Sequence, residues 1–225
     1  MQRRSYLRGA AVIGTAGATA GCLGGMFDET AENVVLAEPD DQGADSSALA
    51  YPAYGESFPA FTLPEAFSDE PFESAEIERP ALYTAFYAFC PAECMLLLGS
   101  MAAIQAALAE RGRQDDVDLV AITFDPTRDT PEKLETNAEQ RGIDHTHKRW
   151  HYLRPEDDAQ AERIVGERLG IGFEQDGGGD AYEFIHLTIT FLVNPDGVVE
   201  RAYRGERLDV DRVVSDLETV VDAYI

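Results

Sequence analysis

The chain has 225 residues, 42 acidic and 18 basic, and a formal net charge of −24. A surface of that sign repels nucleic acid and anionic headgroups, which excludes a nucleic-acid role. The acidity is expected of a solvated face in a halophile's protein, where salt shortens screening to a few ångströms and mutes self-repulsion.

The first residues, "MQRRSYLRGAAVIGTAGATAGCLGG", read as a targeting segment. Arg3 and Arg4 precede an uncharged run from Gly9 to Gly21, shorter than the ~20 residues that span a bilayer as a helix. The segment resembles a twin-arginine export signal. Its end, "TAGC", resembles the lipoprotein cleavage box, although Thr19 stands where that box usually has leucine. The expectation is a signal over 1–21, a lipid on Cys22, and a protein held at the outer face of the cytoplasmic membrane. Residues 22–56 are acidic, with scattered Pro, Gly and Ser, and read as a tether. The folded domain is expected over 57–225.

Within it, Ala81 to Phe89 is an unbroken apolar and aromatic run, as in a strand buried on both faces. Pro91 suits the first turn of a following helix with the body "AECMLLLGSMAAIQAALAERG". Val117 to Asp125 is a second buried strand. "DTPEKLETNAEQRG" predicts a helix with Asp129 or Thr130 as cap, Pro131 at its first position and Gly142 as its stop. "AERIVGERLG" is helical; "IHLTITFLV" and "VVERAYRG" are strands joined through "NPDG". The last stretch places Val210, Val213, Val214, Leu217, Val220 and Val221 on one helical face. Right-handed crossover makes the first two long strands parallel. The fold class is α/β, thioredoxin-like, with a central mixed sheet flanked by helices.

Cys90 then lies at the carboxyl end of a buried strand and Cys94 one turn into a helix, so the two sulfurs can converge. Free amides at a helix start favour thiolate. Export also removes the pair from the reducing cytosol. Two kinds of chemistry fit: reversible disulfide formation, or a soft metal ion. Three residues separate the cysteines where a redox pair here usually has two, and two thiolates alone under-coordinate a metal. Of the four histidines, His186 begins an otherwise apolar strand that this topology places beside the Cys90 strand end. Two thiolates and an imidazole suit Cu(I), and a thiol pair also reaches Cu(II) or is oxidised by it. The cluster "HTHKRWH" (His145, His147, His151) contains Lys148 and Arg149, which would repel a cation, and reads as a solvated loop.

"CPAEC" after an aromatic strand, "DPTRDTPE" closing the second strand, and a histidine followed after seven residues by "NPDG" together resemble the SCO/SenC family from about Phe58 to Tyr203. The resemblance implies a membrane-anchored, thioredoxin-like copper protein that helps assemble the CuA centre of cytochrome c oxidase. Its metal ligands fall on Cys90, Cys94 and His186, and its partner is the CuA-bearing subunit. Met95 replaces the family's usual proline, and Glu93 adds an anion beside the second cysteine. A methionine one turn into an apolar helix is more often core than ligand. Asp125, at a strand's carboxyl end, is the candidate to support the ligands from behind, while a turn and cap with Arg128 pairing an acid account for the rest of "DPTRDTPE". The chain is read as a metallochaperone rather than an enzyme. The enzyme alternative is a thiol–disulfide oxidoreductase in which Cys90 and Cys94 form the redox-active pair.

Overall fold

A computed structural model of the chain describes residues 33–90, 93–178 and 182–224. The export signal, Cys22 and the helix-starting Pro91 lie outside the described residues. The elements in order are β1 (Thr62–Pro64), β2 (Pro71–Glu73), β3 (Ala81–Phe86), α1 (Glu93–Glu110), β4 (Asp118–Thr123), α2 (Pro131–Arg141) and β5 (Trp150–Leu153). Then come α3 (Asp158–Ala161), running on as a π-helical segment over Glu162–Arg168, β6 (Phe173–Asp176), β7 (Glu183–His186), β8 (Ile189–Val193), β9 (Val199–Arg204) and α4 (Val210–Tyr224).

A five-stranded sheet of order β5-β4-β3-β8-β9 forms the centre. β3, β4 and β5 are mutually parallel, and β8 and β9 run antiparallel to their neighbours. This is the expected mixed sheet, and the unbroken apolar runs explain it: every residue of β3, β4 and β8 is buried. α4 buries Val213, Val214, Leu217, Val220 and Val221, the stripe its spacing predicts, and packs against α1. α2 starts after Thr130 with Pro131 at its head and stops at Gly142 in the left-handed conformation, φ 67°. The "NPDG" turn works through Asn194, whose Oδ1 accepts from the amides of Asp196 and Val198.

Five short strands were not expected as such. β5 falls inside the stretch read as a solvated histidine loop, and pairs with β4. β1–β2 and β6–β7 form separate two-stranded sheets. The predicted tether also differs. Its part from Asn33 onward lies on the domain, with Leu36 and Ala53 buried. The amides of Val35 and Leu36 donate to the carboxylate of Glu200 at 2.9 Å each, and Asn194 Nδ2 reaches the Asn33 carbonyl at 2.8 Å. Composition reads as disordered there, but a fully buried Glu200 needs donors and β9 is an edge strand. This segment answers both: Gly55 donates to Val199, and Val199 donates to Glu56. Gly170, at φ +64°, lets it approach, since a β-carbon there would lie 2.1 Å from the Ala50 carbonyl. Among the described residues no helix is long and apolar enough to cross a membrane.

Candidate metal centre

β3 ends at Phe86, and Tyr87 to Cys90 carry the chain beyond the sheet into a turn closed by the Cys90 amide on the Tyr87 carbonyl, 3.3 Å. α1 then begins, and its apolar residues decide where Cys94 points. Cys94, Leu97, Leu98, Met101 and Leu108 are all buried, at the spacing of a single helical stripe. The Cys94 amide donates to Cys90 Sγ at 3.2 Å, so a helix-start N–H faces the first sulfur, an arrangement that stabilises negative charge there.

The third group arrives on a different element. His186 ends β7 rather than beginning β8, which starts at Ile189. The β6–β7 hairpin seats on the end of the main sheet through an aromatic cluster in which Phe124 stacks on Phe173 at 4.7 Å and meets Phe184 edge-on at 5.2 Å. Phe184 and His186 share one face of the hairpin strand, as period two requires. The His186 ring lies 5.3 Å from Phe124 and 5.9 Å from Tyr87.

His186 Nε2 is 3.7 Å from Cys94 Sγ, and Nδ1 is 3.2 Å from the Leu187 carbonyl. With Nδ1–H donating to that carbonyl, the Nε2 lone pair faces the sulfur, the tautomer a metal-binding imidazole needs. The two sulfurs and the imidazole nitrogen all lie within 4.8 Å of one another. Donors about 2.2 Å from a trigonal metal sit about 3.8 Å apart, so small side-chain shifts close the set around one ion. Two thiolates and one imidazole in a mostly buried setting favour a soft, low-coordinate cation.

The surroundings include residues that the sequence did not single out. Burial, with the Cys90 and Cys94 sulfurs adding to it, pushes the Tyr87 phenol well above its ordinary value, and the Phe184 amide donates to that hydroxyl at 3.4 Å. Asp125 is buried, and it accepts from Arg128 Nε at 2.5 Å and from the Tyr182 hydroxyl at 2.7 Å. Asp129 is no helix cap. Its Oδ2 accepts from Thr123 at 2.5 Å and from the Ala88 amide at 2.9 Å, and burial pushes its carboxyl up to about 7. Met95 is half exposed rather than core, and Phe89, Ile185 and Leu187 are exposed beside the site as well. The alternation in "YEFIH" was the one available sign of the hairpin.

The other histidines form no second centre: among the described residues the cysteine pair and His186 are the group placed to hold a metal ion. His151 sits on β5 between carboxylates, with Nδ1 against Glu65 and Nε2 3.1 Å from Asp118 Oδ1. It belongs to an ion cluster on the domain's flank, not to a solvated loop.

The sequence model of the SCO1/SenC family matches residues 56–222. No curated protein matches the chain in sequence. Among solved structures, a SCO1/SenC family lipoprotein from Bacillus anthracis superposes with TM-score 0.62 at 18% identity, covering 76% of this chain and 96% of that one. ScoI of Bradyrhizobium japonicum, solved with copper bound, gives TM-score 0.61 at 18% identity over 73% and 99%. BsSco, a member of the Sco family of cytochrome c oxidase assembly proteins in which a disulfide switch was identified, gives 0.62 at 20% over 76% and 96%. The shared fold is the thioredoxin-like one expected.

Proposed function

The chain belongs to the SCO1/SenC family, and on that premise we propose that it is a copper chaperone of cytochrome c oxidase assembly, holding its cargo through Cys90, Cys94 and His186. The observation that carries the reading is the meeting of Cys94 Sγ and His186 Nε2 at 3.7 Å, beside a second sulfur, from elements 92 residues apart. Such a set has no obvious use in stability, since it buries polar donors where apolar side chains would pack as well. It has one in copper chemistry. Two thiolates and an imidazole satisfy Cu(I) while leaving a coordination position through which an incoming thiolate can take the ion by exchange.

The acceptor on this reading is the CuA-bearing subunit of the oxidase. The chain meets it at the outer face of the cytoplasmic membrane, exported by its twin-arginine segment and anchored by a lipid on Cys22. Exposed Phe89, Met95, Ile185 and Leu187 give the approach to the ligands an apolar rim on an otherwise acidic protein.

The test is copper stoichiometry on the chain lacking residues 1–22, reduced and anaerobic, for wild type and His186→Ala. Starting there retains the segment from Asn33 that packs on the domain. One tightly held copper per chain, weakened by the substitution, is the expected result. The second reading, a thiol–disulfide oxidoreductase giving two electrons and two protons from Cys90 and Cys94 to an acceptor disulfide, draws on the contact between the Cys94 amide and Cys90 Sγ. It wins if wild type binds no copper while the cysteine pair cycles readily and His186→Ala leaves that cycling unchanged.

A further inference from the structure

The strand that bears His186 is not part of the central five-stranded sheet. β6 and β7 form a separate two-stranded sheet, and a lone hairpin is marginally stable in water. The aromatic cluster of Phe124, Phe173 and Phe184 and one long hydrogen bond, from the Phe184 amide to the Tyr87 hydroxyl at 3.4 Å, keep it on the domain, but apolar contact is non-directional and tolerates sliding. Placing one nitrogen against one sulfur to within a fraction of an ångström takes directional bonds.

We propose that Arg128 is the positioning residue of the centre: it clasps the histidine hairpin to the cysteine loop and so sets His186 against Cys94. Its guanidinium meets all three segments concerned. Nε donates to Asp125 Oδ2 at 2.5 Å, on its own loop after β4. Nη1 donates to the Tyr182 carbonyl at 2.8 Å, and the guanidinium lies over the Tyr182 ring, 3.5 Å from its centre. On the other side it faces the Phe89 ring at 5.1 Å and the Tyr87 ring at 5.8 Å, both in the segment that delivers Cys90. The Tyr182 hydroxyl donates to the second oxygen of Asp125 at 2.7 Å, closing a ring of contacts through Arg128, Asp125 and Tyr182. Tyr182 directly precedes β7, four residues before His186, so its position is transmitted along that short strand to the imidazole.

A lysine keeps the charge but not the planar fork, and so cannot bond Asp125 and the Tyr182 carbonyl together while stacking on a ring. The clasp rests on the copper-binding reading only for its use; its mechanical content is independent of any metal.

The experiment compares wild type, Arg128→Lys, Tyr182→Phe, His186→Ala and the two doubles with His186→Ala, in the chain lacking residues 1–22. Two quantities are read: Cu(I) affinity by competition with a chromogenic chelator, and amide hydrogen exchange of the copper-free protein. Arg128→Lys is expected to weaken copper about 10–100-fold, as loss of a partner behind a metal ligand does. It should add less than about twofold once His186 is already alanine, because coupled groups are non-additive. Without copper, exchange at Phe184 to His186 should quicken about tenfold, with β3 and β4 unchanged. Losses that add, wild-type affinity in Arg128→Lys, or exchange that quickens throughout the domain would each overturn the proposal. Should Arg128→Lys fail to fold, Tyr182→Phe keeps the Arg128–Asp125 pair and must give the same non-additive pattern at smaller size. If wild type binds no copper, the chaperone reading falls, and the exchange pattern alone decides the clasp.

Discussion

Replacing His151 by glutamine tests the ion cluster on the flank of the sheet. The imidazole sits between Glu65, at the end of the β1–β2 sheet, and Asp118, which opens β4 and also faces Arg149 at 3.4 Å. Burial opposes a charged ring, yet hydrogen bonds to Asp118 and Glu65 outweigh it and hold the His151 pKa at about 9 against an ordinary 6.5. At roughly 1.4 kcal/mol per pH unit, that difference makes the charged ring worth on the order of 3 kcal/mol to the fold. The side chain is only 16% exposed, so solvent screens little of it. The folded-state value is raised, so the contribution is complete below pH 6.5 and disappears as pH climbs through about 9. Urea unfolding at constant salt, from pH 6 to pH 10, should show wild type losing about 3 kcal/mol relative to His151→Gln. The two should be nearly equal at the alkaline end. Parallel curves for the two proteins would refute the argument, since they would mean that His151 binds its proton equally well in the folded and the unfolded chain.

Two further substitutions report on the N-terminal part of the chain. Glu200→Ala removes the acceptor of the Val35 and Leu36 amides and one of the two acceptors of Asn194 Nδ2. It should destabilise the domain by about 3 kcal/mol and open residues 33–50 to a protease that spares them in wild type. On the proposed export and lipid anchor, Cys22→Ser should shift the chain from the membrane to the soluble fraction, and unchanged membrane association would rule that anchor out.

What the sequence announced and what it hid divide along a physical line. β3, β4 and β8 are buried on both faces, so apolar runs declare them; α2 is marked by Pro131 at its head and Gly142 at its stop, and α4 by its apolar stripe. The hairpin that bears His186 carries no such mark. "FEQD" and "EFIH" are rich in polar residues, and they form strands because Phe124 just beyond β4 and Tyr87 beyond β3 give their aromatics a surface to cover. The stretch from Asn33 to Glu56 has the composition of a tether, yet Glu200, more than 140 residues later, supplies the acceptor that fixes it. His151 was misread for the same reason. Its neighbours in sequence are cations, whereas its neighbours in space are Glu65 and Asp118. Contacts far apart along the chain, not weak local propensity, were what stayed invisible.

The spacing of the cysteines follows from the same geometry. Along a helix each residue turns the side chain by about 100°, so one position decides whether a sulfur joins the core face or leaves it. Cys94 shares a stripe with Leu97, Leu98 and Met101, all fully buried, while the next residue, Met95, is 50% exposed. Moving the second cysteine by one residue would turn its sulfur off that stripe and away from the sheet end where β7 presents His186. Cys90, still in the turn before α1, keeps its sulfur under the Cys94 amide at 3.2 Å. Three intervening residues therefore give up the tighter dithiol spacing and gain a second sulfur aimed at an imidazole. A pair serving only disulfide exchange has no need of that aim, and a trigonal copper site does. This is the sense in which the spacing itself favours a three-donor centre.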